Sequence, residues 1–167
     1  MGAAHDRITP EQAELIRSAR VFFVASADPS LGAGPEEQGP VNLSPKGGTP
    51  LHLLDERRVA YLDYRGSGNE TSRHAEAGGP VTVMVMSMDG KDAAVVRLYG
   101  HASVRPLDEG SPLAEQLLAE PAAALGLPQR QLVEIAVEST QTSCGYGVPV
   151  LTYAGERTGE QRGRRYK

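Results

Sequence analysis

The sequence predicts a mainly β domain with peripheral helices, in which an antiparallel sheet closes into a small barrel. Three observations lead there. Runs of β-formers recur along the chain without the regular βαβ alternation that a parallel sheet requires. Two of these runs, residues 81–88 and 93–104, flank an Asp89-Gly90 turn and read as a long β-hairpin. With no Trp and two Phe, the core has to be assembled from Val, Leu, Ala, Met and Ile, which suits packed strands. A length of 167 residues fits one domain, 1–167, with one core.

The first 18 residues are expected to form an N-terminal helical segment. Thr9, Pro10 and Gln12 supply a hydroxyl N-cap, a proline at the first helical position and the third-position partner of a capping box, and the helix should run to about Ser18. Residues 20–26 (Arg-Val-Phe-Phe-Val-Ala-Ser) read as a buried strand closed by Asp28-Pro29, and the Gly- and Pro-rich stretch 29–40 as a loop. Residues 41–44 alternate, placing Asn42 and Ser44 on one face and Val41 and Leu43 on the other. A stronger strand at 58–64 runs into the loop Arg65-Gly66-Ser67-Gly68, followed by a short helix at 69–77 that Gly78-Gly79-Pro80 stops. After the hairpin come a helix at 113–120 and a last strand at 132–138. The end of the chain, 155–167, reads as a flexible, solvated tail.

Composition narrows the function classes. The net charge is -4 and the basic residues are scattered outside that tail, so no nucleic-acid partner is expected. The longest early apolar run, 21–25, falls far short of the roughly 18 residues of a membrane span and follows no basic leader, so no membrane association is expected either. The lone Cys144 cannot form an intrachain disulfide and fits a reducing, cytoplasmic compartment; a buried, inert thiol is its expected state. The four histidines show no metal-ligand spacing, and no Gly-x-Ser-x-Gly elbow is present. Met84, Met86 and Met88 share one strand face and are expected in the core or against a ligand.

The segment 61–71 carries the most chemistry. A strand, a glycine loop and a helix start bring free backbone N–H groups together with Ser67, Asn69 and Thr71, a place where a phosphate could sit with Arg65 and Arg73 near in sequence. The ordinary alternative is that Ser67 or Asn69 caps the helix. Asn42, Ser44 and Lys46 present a polar strand face able to hydrogen-bond a flat heteroaromatic ring or its polyol chain, or else a solvated edge. Arg97, inside a strong strand, aims at an anion or pairs across the sheet with a carboxylate such as Asp63.

Taken together and in order, residues 42–48, 58–71, 81–86 and 96–102 resemble the pyridoxamine 5'-phosphate oxidase-like flavin proteins, over roughly 19–105. The resemblance implies a six-stranded antiparallel split β-barrel, a homodimer and FMN held at the dimer interface. It implies that Asn42, Leu43, Ser44 and Lys46 contact the ring and ribityl chain, that Tyr61, Leu62 and Asp63 lie along the flavin, that the segment Asn69, Glu70 and Thr71 helps hold the phosphate, with Ser67 of the loop before it as a further donor, and that Arg97 completes the site. The chain departs from true pyridoxamine phosphate oxidases: it lacks their Arg at the strand start matching Val41, has Asn69-Glu70-Thr71 in place of a Ser-Arg-Lys-like clamp, and has no Trp in its C-terminal segment. Oxidation of pyridoxamine phosphate is therefore not expected. The implied activity is that of an FMN-dependent oxidoreductase acting with a small-molecule substrate or electron donor; the alternative is a non-catalytic barrel that carries or senses flavin, deazaflavin or haem. No acid or base stands out, with Tyr64, Tyr146 and Lys46 as the candidates, and Glu70 is expected to pair with Arg73 or His74 rather than face a phosphate.

Overall fold

A computed structural model describes residues 2–32, 39–66, 68–107, 110–119, 128–157 and 161. The elements in chain order are β1 (Ala3–His5), α1 (Pro10–Ser18), β2 (Val21–Ala27), β3 (Val41–Gly47), β4 (His52–Asp55), β5 (Arg58–Tyr64), α2 (Glu70–Glu76), β6 (Pro80–Met86), β7 (Ala94–Pro106), α3 (Pro112–Leu118) and β8 (Gln129–Cys144). The strands form one antiparallel sheet in the order β3-β2-β6-β7-β8-β5-β4, with β1 added to β8. This is the mainly β, barrel-like architecture that the sequence implies, but among the described residues the sheet has eight strands, not six. The extra two are β1 and β4. β1 is exposed throughout and pairs only with the far end of β8, and β4 is a four-residue strand turned back onto β5, so neither carries a long apolar pattern.

Three further departures have physical reasons. The N-terminal segment holds a strand ahead of α1, whose capping box forms as expected: the Gln12 N–H donates to Thr9 Oγ1 at 3.3 Å and the Thr9 N–H to Gln12 Oε1 at 3.0 Å. β3 continues through Pro45 to Gly47, which a proline permits because β3 is an edge strand and no ladder partner needs its missing N–H. β8 extends well beyond 132–138, because its second half, Ser139, Thr140, Gln141, Thr142 and Ser143, pairs through the backbone and leaves no apolar alternation to read.

The core follows period two. Phe22 and Val24 of β2, Val81, Val83 and Val85 of β6, Val96 and Leu98 of β7, Val133, Ile135 and Val137 of β8, and Val59 and Tyr61 of β5 all point inward and are nearly inaccessible. Each such side chain contributes roughly 1.5–3 kcal/mol of burial. Met84 and Met86 lie on the opposite, half-buried face of β6, so the valines fill the core and the methionines do not. Cys144 is exposed rather than buried.

The outer face is also apolar in places. Pro45, Phe23, Met84 and Arg97 stand in one cross-strand row, and Leu43, Ala25, Thr82 and Tyr99 in the next. Val41 is 63% and Leu43 65% exposed. No helix among the described residues is long and apolar enough to cross a membrane.

Candidate functional site

The two ends of the sheet meet through side chains instead of a backbone ladder. β3 and β5 lie far apart in strand order, yet Lys46 Nζ donates to Asp63 Oδ1 at 2.7 Å and the Phe22 and Tyr61 rings meet edge-on at 5.3 Å. Just beyond, Thr49 Oγ1 donates to the Leu62 carbonyl and the Tyr64 hydroxyl to the Gly48 carbonyl. The split of the barrel is thus a polar seam, and α2 packs beside it on β2 and β7.

Asp63 is the hub of that seam. It is 6% exposed, with Oδ1 bound to Lys46 and Oδ2 accepting from Arg130 Nη2 at 2.9 Å and Gln131 Nε2 at 3.0 Å. A carboxylate this buried needs such partners, since an isolated charge there would be costly to desolvate. Gln131 Nε2 also donates to Asn69 Oδ1 at 3.0 Å, and Arg130 Nη2 to the Gly68 carbonyl at 3.2 Å, tying β8 to the loop that starts α2. On the other side, Asn42 Nδ2 donates to Thr71 Oγ1 and Ser44 Oγ at 3.2 Å each. Two sets of hydrogen bonds therefore border the seam: one joins Asn42 and Ser44 of β3 to Thr71 of α2, the other joins Lys46 of β3 through Asp63 of β5 to Arg130 and Gln131 of β8 and on to Gly68 and Asn69.

The structure brings Asn42, Ser44, Lys46, Asp63, Asn69 and Thr71 together in this seam. Tyr61 borders it: its ring is in the core with Lys46 Nζ 5.7 Å from the centroid, and its hydroxyl is buried with no hydrogen-bond partner. Burial, reinforced by the Asp63 charge and only partly offset by Arg130, pushes the Tyr61 phenol well above its usual range, so it stays neutral. Leu62 points the other way, into a cluster with Ala60, Ala114, Leu117 and Leu132 under α3, and Leu43 faces outward. Ser67 lies outside the described residues.

Arg97 does not pair with Asp63. It stands on the outer face, where Nη1 donates to Ser143 Oγ at 3.0 Å, because the register sets it opposite Gln141 of β8 with β5 a strand further on. Asn69 occupies the N-cap of α2 but makes no side-chain cap, its carbonyl oxygen being taken by Gln131. His74 is buried with Nδ1 2.9 Å from Ser26 Oγ, so it looks to β2 instead of Glu70. The Glu70 carboxylate folds back over Gly68, into the space a side chain there would need.

Sequence reasoning missed Arg130 and Gln131. Their only local signal is a polar start to a strand that otherwise reads as core. Past Lys46 the seam adjoins a cleft of about 800 Å³, lined by Pro45, Tyr64, Met86, Met88 and Tyr153 among others, a volume in the range that holds small organic molecules. Of the acid–base candidates, Lys46 and Tyr64 line this cleft, whereas Tyr146 is 91% exposed elsewhere. No group of three or more His, Cys, Asp or Glu among the described residues is placed to hold a metal.

The fold and the seam define a class, and comparison with known proteins supports the same one. The family profile described as pyridoxamine 5'-phosphate oxidase matches residues 8–144. A curated relative, the pyridoxamine 5'-phosphate oxidase family protein ustO of Aspergillus flavus, is 32% identical over 133 residues, which is 78% of this chain and 49% of that protein. The chain thus belongs to the pyridoxamine 5'-phosphate oxidase family, and spans about half the length of the curated relative it matches. Among solved structures, a candidate pyridoxamine 5'-phosphate oxidase from Lactobacillus delbrueckii superposes with a TM-score of 0.59 at 20% identity, covering 83% of this chain and 97% of that one. HupZ of Group A Streptococcus superposes with a TM-score of 0.56 at 23% identity, covering 78% and 90%. At these identities the structural likeness speaks to the fold alone.

The donor set fits a flavin mononucleotide. Asn42, Ser44, Asn69 and Thr71 are short neutral groups suited to hydroxyls and phosphate oxygens, and Lys46 and Arg130 place two cations against one Asp63 carboxylate.

Proposed function

We propose that this chain is a cytoplasmic FMN-binding oxidoreductase that works as a homodimer. The reading rests above all on the convergence of Asn42, Ser44, Lys46, Asp63, Asn69 and Thr71 on one seam, from three separate sequence segments. Bound FMN would supply the hydride and electron transfer. The protein's part is then to bind and orient. Asn42 and Ser44 would hold the ribityl hydroxyls, Asn69 and Thr71 the phosphate end, and Lys46, bound to Asp63, would present its ammonium donors where the seam adjoins the cleft. Tyr61, neutral and packed on Phe22, keeps water from the barrel side. The cleft beside Lys46 and Tyr64 takes the substrate or electron donor, and the apolar rows on the outer face of β2, β3 and β6 form the contact with a second copy.

The test is the visible spectrum of the freshly purified protein, with identification of what acid or heat releases. A flavin spectrum and released FMN are expected. A colourless protein that takes up no added FMN would overturn the flavin reading, and a haem-like spectrum would replace it with a tetrapyrrole carrier.

A further inference from the structure

A phosphate at the start of α2 needs a cation, and Asn69-Glu70-Thr71 supply none. Arg130 stands where that charge is missing. Its Nη2 donates to the carbonyl of Gly68, the residue just before the N-cap, so the guanidinium lies against the loop that leads into α2. It is held there from two sides: Asp63 accepts from the same nitrogen, and the neighbouring Gln131 bridges Asp63 and Asn69.

Lys46 and Arg130 share the single Asp63 carboxylate, so Asp63 alone does not neutralise both, and the Glu70 carboxylate stands on the loop side over Gly68. The donors are also incompletely used. Arg130 Nε and the Tyr61 hydroxyl are both buried, both border the seam, and neither has a hydrogen-bond partner among the described residues. Buried polar groups in that condition are costly, and the oxygens of a phosphate would offer acceptors to either.

We propose that Arg130, positioned by Asp63 and Gln131, is the cation that recognises the flavin's phosphate, supplied by β8 from across the seam, since Asn69-Glu70-Thr71 carry none. This rests on the flavin reading and goes beyond it, because it makes one residue responsible for selecting the phosphomonoester. Riboflavin carries the same ring and ribityl chain without the phosphate, so the two ligands separate phosphate recognition from everything else.

The experiment is a titration of the full chain with FMN and with riboflavin, followed by flavin fluorescence, for the unaltered protein, Arg130→Gln and Arg130→Lys, with circular dichroism to verify folding. Arg130→Gln is expected to weaken FMN binding about tenfold to a hundredfold, the worth of a charge-assisted contact, and to leave riboflavin binding unchanged. Arg130→Lys keeps a cation for Asp63, and with it the fold, but loses the planar fork, so it should still lose FMN affinity selectively and by less. Equal losses for both ligands, or no loss for FMN, would overturn the role of Arg130 and leave the flavin reading standing. An unaltered chain that binds neither ligand would overturn both.

Discussion

At the residue scale, Tyr61 shows how the seam constrains a single group. Its hydroxyl is buried without a partner, so Tyr61→Phe removes an unsatisfied group and is expected to change stability at neutral pH by no more than about 1 kcal/mol. The larger effect appears in alkali. The folded phenol titrates above its ordinary value of 10.0, so its contribution is fully present below about pH 10 and is lost at higher pH, where the unfolded chain ionises first. Urea unfolding at a series of alkaline pH values should show this loss in the native sequence and a flatter profile in Tyr61→Phe; identical profiles would mean that Tyr61 titrates normally. Residues of this kind divide sharply in legibility. Asn42, Ser44 and Lys46 are readable because alternation puts them on one face. Arg130 and Gln131 are not, because their partners Asp63, Gly68 and Asn69 lie more than 60 positions away and only the closing of the barrel brings them near.

At the scale of elements, the β7–β8 pair is the longest ladder in the sheet, and it carries a register shift between Tyr99 and Gly100. Gly100 is required there: a Cβ would come within 1.9 Å of the Ala136 carbonyl oxygen. Gly100→Ala forces two backbones apart and is expected to cost about 2–3 kcal/mol, seen as a lower urea midpoint with unchanged slope. The same pair shows why strands were easier to find than to measure. Val95, Val96 and Leu98 announce β7 by their side chains. The Ser-, Thr- and Gln-rich half of β8 is fixed instead by pairing and by Gln12, whose amide donates to Thr142 and accepts from Thr140. The β-branched Thr140 and Thr142 were the one local hint of a strand there.

At the scale of the whole molecule, the exposed row led by Leu43 belongs to the proposed contact between two copies. Leu43→Asp sits on the outer face, away from the core, so the monomer should fold while the dimer dissociates; sedimentation at micromolar concentration would reveal it. A variant that sediments like the unaltered chain would place the contact elsewhere.

The strand order has one more consequence, in time rather than space. β8 is the partner of β1, β5 and β7 at once, and Ala3 pairs with Thr142 at nearly the other end of the chain. During synthesis β1 therefore has no partner until β8 emerges, and β5 and β7 each lack one of their two neighbours, although β2, β3, β6 and β7 can already pair with one another. Until then Asp63 has neither Arg130 nor Gln131. The seam around Asp63 is therefore completed only after β8 is made, and a nascent chain stalled short of residue 131 would hold a half-built barrel with part of its apolar interior open to solvent.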